Sequence, residues 1–333
     1  MALQLGIILS SLGILLIGAE LFTNAVEWVG KRFRMSEGAV GSVLAAVGTA
    51  LPETLVPVIA ILFRPGDMGH EIGIGAILGA PFMLATLAFF IIGVTLILWR
   101  RQAPCARLDV NVHVIGRDLV FFLAVYSLAL AASLTEAWEW KRFFSAVMVI
   151  AYCLYLWLVF TRGGEAAGKQ GLEPLFFCRT KKSPPTFLVV FQFVFALGLI
   201  IAGAYFFVGG IATVANILGV SALLMALIVV PVATELPEKF NSIIWILKGK
   251  DTLALGNITG AMVFQSSLIP VLGILLTPWK LTGVALLSAV LAILSATLVL
   301  WQIKFKRSLT PYVFLWGGVF YSGFLLAVYL GLR

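Results

Sequence analysis

Two glutamates in this chain are each preceded by a proline and, four residues back, by a threonine. Val47-Gly48-Thr49-Ala50-Leu51-Pro52-Glu53 reads VGTALPE, and Val232-Ala233-Thr234-Glu235-Leu236-Pro237-Glu238 reads VATELPE. Shared Leu and Val could come from apolar composition alone. A shared Pro-Glu preceded by Thr at one constant offset marks an internal repeat. Proline has no N–H, so inside a helix it leaves the carbonyl four residues back without a donor. Pro52 would free the carbonyl of Gly48, and Pro237 that of Ala233. Thr49 and Glu53 are four apart and share a helix face, as do Thr234 and Glu238. Each copy therefore offers a carboxylate, a hydroxyl and loosened carbonyls. Facing each other, the two copies would form an all-oxygen cage with two negative charges, suited to a hard cation such as Ca²⁺.

Those residues need elements to hold them. The chain has 333 residues, of which 61% are hydrophobic and only 11% charged, whereas a soluble domain carries about a quarter charged residues. The charges are bunched between apolar runs of roughly 18 to 28 residues, long enough to cross a bilayer as helices. The alternating strands of an outer-membrane barrel are absent. The expected fold is an all-α polytopic membrane protein with ten transmembrane helices. They fall near residues 4–28, 38–63, 71–98, 118–135, 143–160, 186–208, 219–247, 252–276, 281–303 and 311–332.

A Gly- and Pro-rich connector divides this set. Residues 1–162 form a first five-helix repeat, 163–185 a cytoplasmic linker, and 186–333 a second repeat. Five is odd, so the second repeat must be inverted relative to the first, a transporter plan with its site at the midplane. Seventeen of the 23 Lys and Arg residues lie in alternate loops, among them Arg32, Arg117, Lys181, Lys250 and Arg307. Five lie in the opposite loops and at the C-terminus, and Lys239 lies inside a span. The positive-inside rule then places both termini outside, with the linker in the cytoplasm of a prokaryotic inner membrane. The net charge of +8 is thereby explained by topology, with no nucleic-acid partner. Cys105, Cys153 and Cys178 are scattered, and His70 and His113 stand alone, so neither a disulfide framework nor a zinc site is indicated.

Other polar residues offer less. Glu235 has Lys239 four residues on, an ordinary helix ion pair, although it could join a secondary cation or proton site with Gln265, Asn257 and Ala50. Glu20, Asn24 and Glu27 share a face of the first helix and either line an ion exit or are solvated. A second repeated segment matches Gly75–Ala80 to Gly256–Ala261. Gly75, Gly79, Gly256 and Gly260 read as packing glycines that let helices approach closely.

The two Pro-Glu motifs and the GNxxG segment after the second resemble the two alpha repeats of the sodium/calcium exchanger family, in the wider cation/calcium antiporter group. The resemblance covers nearly the whole chain. It implies exchange of a divalent cation, Ca²⁺ first, against Na⁺ by alternating access, with no cofactor and with inorganic cations and the lipid bilayer as partners. By matching motif it implies Ca²⁺ ligands at Glu53, Glu238, Thr49 and Thr234. The family's usual Ser after the motif Thr is replaced here by Ala50 and Glu235. Its GSxxxN or GSxxxD pattern is replaced by Ala80 with Leu84 and by Ala261 with Gln265. Several expected Na⁺ ligands are thus apolar, which leaves H⁺-coupled exchange open. An intramembrane enzyme lacks its signatures here, since there is no GxGD pair, HExxH or Asp-rich repeat. A transport-dead scaffold would not need two surviving carboxylates. Oligomeric state is not written in the sequence.

Overall fold

The computed structural model describes residues 1–32, 50–64, 66–99, 108, 110–162, 173–179 and 184–331, without the side chains of residues 30, 31, 99, 160, 162 and 236–238. This described chain is almost entirely helical: α1 (Ala2–Arg32), α2 (Leu51–Phe63), α3 (Asp67–Met83), a π turn (Leu84–Ala88) running on into α4 (Phe89–Trp99), α5 (Val112–Ala132), α6 (Trp138–Arg162), α7 (Thr186–Leu218), α8 (Ala222–Leu247), α9 (Asp251–Leu276), α10 (Gly283–Lys306) and α11 (Pro311–Tyr329). Among these residues eight spans are long and apolar enough to cross a membrane. Two shorter apolar stretches, Leu51–Phe63 and Ala222–Glu235, fall where the second and seventh spans are expected. The protein is a helical, multi-pass membrane protein, as its composition requires.

Boundaries follow local chemistry. Asn111 caps α5, its side chain accepting from the N–H groups of His113 and Val114, and Ser221 caps α8 by accepting from Leu224. The sixth span, expected to end near residue 208, runs on to Leu218 and stops at Gly219, whose φ of 65° is the left-handed cap a glycine supplies most cheaply. Gly209 and Gly210 do not break it, because they sit against Arg64 and Ile8, where a side chain would collide. The second span departs differently. Its described helix begins at Leu51 with Pro52 in the first turn, where a missing N–H costs no helical hydrogen bond. Residues 38–49 lie outside the described part.

The chain divides into two compact units, Met1–Pro65 with Leu154–Val220, and Gly66–Cys153 with Ser221–Arg333. Each draws on both halves of the sequence, so packing and sequence repetition divide the molecule differently.

In the first unit α1 packs along α7. Gly18 meets Ile200, Gly203 meets Leu15, and Gly210 meets Ile8, so the partners descend α1 as they ascend α7 and the helices are antiparallel. Leu51 and Leu55 of α2 pack against a core of Phe22, Val26, Ala196 and Ile200. The linker is partly strapped down. Asn24 donates to the Pro174 carbonyl and accepts from the Phe176 N–H, and Gln192 accepts from the Phe177 N–H while donating to Asn24 and Leu21. Trp28 donates to the Glu173 carbonyl, and Arg32 to that of Pro184. Asn24 is thereby buried, not solvated, and its amide holds the linker.

In the second unit α3 packs on α8, and it does so through glycine. A Cβ at Gly75 would strike the Leu223 carbonyl, and one at Gly79 the Leu227 carbonyl, which Pro231 leaves without its helical donor. Positions 75 and 79 ascend with 223 and 227, so α3 and α8 are parallel. The pairs Asn111–Thr252 and Asp118–Thr259 make α5 and α9 parallel as well. Loop contacts sort the same way. Leu108 bonds Leu309, joining the loop before α5 to the one before α11. At the opposite end Lys141 reaches the Pro278 carbonyl and Lys280 pairs with Glu136 at 2.5 Å. That hydrogen bond, then the Lys280 charge, holds the exposed Glu136 carboxyl below its usual range. These groupings are the ones a chain threading back and forth through ten spans must produce, and they keep basic loops with basic loops.

Gly256 and Gly260 differ from Gly75 and Gly79 among the described residues. No described atom stands within 4 Å of a Cβ built at Gly256 or Gly260, so among the described residues they are not packing glycines.

Candidate cation site

Helix α8 carries the second motif through an unbroken run. Pro237 lies in its interior, so the Ala233 carbonyl has no helical donor. The buried Thr234 hydroxyl donates to the Val230 carbonyl at 3.1 Å, which leaves its oxygen lone pairs able to accept or ligate. The first motif is held in the other unit. Glu53 is 6% exposed in the first turn of α2, where the positive end of the helix dipole favours a carboxylate. Pro57, four residues on inside the same helix, removes the donor for Glu53's own carbonyl. Pro57 is visible in the sequence, and its spacing from Glu53 was the signal that reading the repeat alone passed over. Gly48, Thr49 and the side chain of Glu238 lie outside the described residues.

Three of the four residues given a secondary role come together. Glu235 is 0% exposed, and its carboxylate accepts from the Gln265 amide. Lys239, 3% exposed, places its ammonium 3.4 Å from the other Glu235 oxygen and 3.2 Å from Asn257 Oδ1. Ser242 donates to the same Asn257 oxygen at 3.2 Å. Ala50 is the fourth. It belongs to the first unit, where its carbonyl accepts from the Thr54 hydroxyl at 2.7 Å and the Thr54 N–H at 3.1 Å.

The spacing 235, 239, 242 follows one helix face, so the residues of α8 were predictable as neighbours. That Asn257 and Gln265 would meet them from α9 was not, because it depends on how α9 packs. A carboxylate in an apolar span is costly unless paired and fully hydrogen-bonded. The ion pair and the Gln265 amide meet that requirement in part: Glu235 Oε1 accepts from Gln265, while Glu235 Oε2 has the Lys239 charge 3.4 Å away and, among the described residues, no hydrogen bond. Among the described residues the buried Gln265 Oε1 accepts no hydrogen bond.

The third span, the counterpart of α9, is built otherwise. Pro81 deprives the Ile77 carbonyl of its donor, and five residues at Leu84–Ala88 wind as a π turn, a distortion that often accompanies function. Ser295 of α10 donates to the Ala85 carbonyl, and Gly317 of α11 lies against that of Thr86. Leu84, at the position where an oxygen ligand would match Gln265, is fully buried. Among the described residues no three His, Cys, Asp or Glu side chains converge.

Comparison with known proteins agrees with this architecture. The chain is 27% identical over 311 residues to CaxA of Alkalimonas amylolytica, named as a candidate antiporter, covering 89% of this chain and 90% of that protein. The solved H⁺/Ca²⁺ exchanger CAX superposes with a TM-score of 0.73 at 16% identity over 98% of this chain and 81% of its own. The sodium-calcium exchanger NCX_Mj gives 0.56 at 20% identity over 100% and 99%. These two share the fold. The family profile described as sodium/calcium exchanger protein matches residues 3–161 and 188–332, so it takes in both copies of the motif. With both halves matched, the chain belongs to the sodium/calcium exchanger family, a family of membrane transporters and not of enzymes.

Proposed function

We propose that this cation antiporter carries a divalent ion, Ca²⁺ first, by alternating access, and that Na⁺ returns as in the family at large. Its substrate cage is Glu53 and Glu238 with the hydroxyls of Thr49 and Thr234 and the carbonyls of Gly48 and Ala233. The observation that carries this reading is the burial of Glu53 within an apolar helix, since a carboxylate kept out of water in a span marks an ion pathway. Pro57 and Pro237 support it by loosening further carbonyl oxygens. The cage cannot stand empty with two charges facing, so it holds a metal ion, monovalent ions or protons, and helices that rock only when it is neutral give coupled exchange. The protein lies in a prokaryotic inner membrane with both termini outside. A thiol probe confined to the cytoplasm should label Cys178, and labelling only from outside would reverse that orientation.

Proton coupling is a second reading with its own support. The Leu84 side chain offers no oxygen, Ala50 offers only its carbonyl, and Glu235 is engaged by Lys239 and Gln265. Dehydrated Na⁺ would find few ligands, whereas a proton needs only a carboxylate. Metal flux in proteoliposomes decides between the two, with a Na⁺ gradient or a pH gradient imposed singly. Flux driven by Na⁺ alone supports the first reading, and flux driven by pH without Na⁺ supports the second. Absence of metal-coupled flux under either gradient overturns both.

A further inference from the structure

Lys239 is the one Lys or Arg in the sequence that falls inside an expected apolar span, and it is 3% exposed. Its ammonium lies among oxygen acceptors. Glu235 Oε2 lies at 3.4 Å and Asn257 Oδ1 at 3.2 Å. The Ser242 hydroxyl sits on the same Asn257 oxygen. The amide of Gln265 is bonded to the Glu235 carboxylate and carries a buried oxygen with no hydrogen bond among the described residues. A carboxylate, an amide oxygen, a hydroxyl and a spare amide oxygen are the donor types that hold a hard monovalent cation. In this protein a cation already sits among them, on a four-carbon tether.

We propose that the Lys239 ammonium is a built-in cation. It occupies a binding site made by Glu235, Asn257, Ser242 and Gln265 that takes one Na⁺ when the ammonium is removed. For transport, this deepens the antiporter reading: one monovalent site is permanently filled by the protein, so the native chain carries one fewer Na⁺ than its oxygen ligands allow. The binding consequence stands without that reading. Lysine suits the role because its charge is compact and its stem flexible, and it brings donors but no acceptor. It can replace a metal ion among acceptors and cannot replace any of them. A merely structural ion pair would also bury Glu235 and Lys239, but it would leave nothing for Na⁺ to bind when the lysine is lost.

The test is Na⁺ binding by the purified, detergent-solubilised full chain. Radiolabelled Na⁺ is counted per protein in wild type, Lys239→Ala, Lys239→Arg and the double variant Lys239→Ala with Glu235→Gln. Thermal melting is followed in NaCl against choline chloride. Lys239→Ala should bind one further Na⁺, and its melting temperature should rise with Na⁺ more steeply than that of wild type, as ligand linkage requires. Lys239→Arg keeps the charge and should bind no extra ion. The double variant should lose the gain. An unchanged Na⁺ count in folded Lys239→Ala overturns the proposal. So does a Lys239→Ala protein that fails to fold at every Na⁺ concentration, since a site Na⁺ could fill would be restored by it. Neither readout needs transport. An antiporter reading that fails in proteoliposomes would leave this result standing, and the reverse holds too.

Discussion

The third and eighth spans descend from one repeated segment, yet the protein has spent them differently. Residues 67–98 carry one buried polar side chain, Thr86, and pack by glycine against α8 and by a π turn against α10 and α11. Residues 251–276 carry buried Asp251, Thr259, Gln265, Ser266 and Ser267, and their glycines face open space among the described residues. The second motif follows the same division, with Pro237 inside a continuous helix and Glu235 and Lys239 beside it, while Pro52 merely begins one. Of the two related spans, the eighth carries the buried polar side chains and the third packs closely through its glycines.

Four sets of substitutions sharpen or break this contrast. The largest effect belongs to the feature both copies retain. Glu53→Gln and Glu238→Gln should each lower divalent flux by on the order of 100-fold or more, the scale on which metal sites lose function when their shell is altered, with folding intact by gel filtration. Full flux in either variant would remove that residue from the cage. Next comes the ion pair found in the second copy alone. Lys239→Met in Na⁺-free buffer should destabilise by about 3–5 kcal/mol, because it strands a buried carboxylate, and adding Glu235→Gln should recover much of the loss. Additive losses in the double variant would mean the pair is not coupled.

The glycines test the packing half of the contrast. Gly79→Ala should cost about 1–3 kcal/mol, since the new methyl must displace the α8 backbone. Gly260→Ala in α9 should instead be neutral or stabilising by about 0.4–1 kcal/mol. Equal losses at both positions in a thermal-shift assay would show that α9 is packed as tightly as α3. Smallest is Ser295→Ala, which removes one hydrogen bond to the π turn and should cost about 0.5–1.5 kcal/mol. A null result would mean that the Ala85 carbonyl finds another donor.

Much of the fold was legible because lipid imposes simple rules. Bunched charges gave the spans, and the loops that share basic residues are the loops that meet in space, as Leu108–Leu309 and Asn111–Thr252 attest. What was not legible depended on neighbours. Gly209 and Gly210 look like helix breakers until Ile8 and Arg64 are seen filling the space beside them. The linker reads as loose chain until Asn24 and Gln192 are found holding residues 174–177. For the site, the i, i+4 spacing announced the Glu235–Lys239 pair, but not that Asn257 and Gln265 would complete its surroundings. Equivalence in sequence to Gly75 and Gly79 did not show which residues would stand beside Gly256 and Gly260, and none of the described ones does.

The π turn at Leu84–Ala88 also sets a phase. Winding by one extra residue turns everything beyond it through about 100° relative to an unbroken α-helix. The face that carries Gly75 and Gly79 toward α8 is therefore not continued by the same heptad positions after Ala88. There Gly93 and Phe89 are turned toward Phe314 of α11 instead. Two copies in step at Gly79 and Gly260 fall out of step by one residue past the turn. A chimaera that grafts the outer end of α9 onto α3 beyond the turn, in the register of the repeat, will meet its neighbours with a face turned by about 100°, and one added residue at the junction should restore the phase.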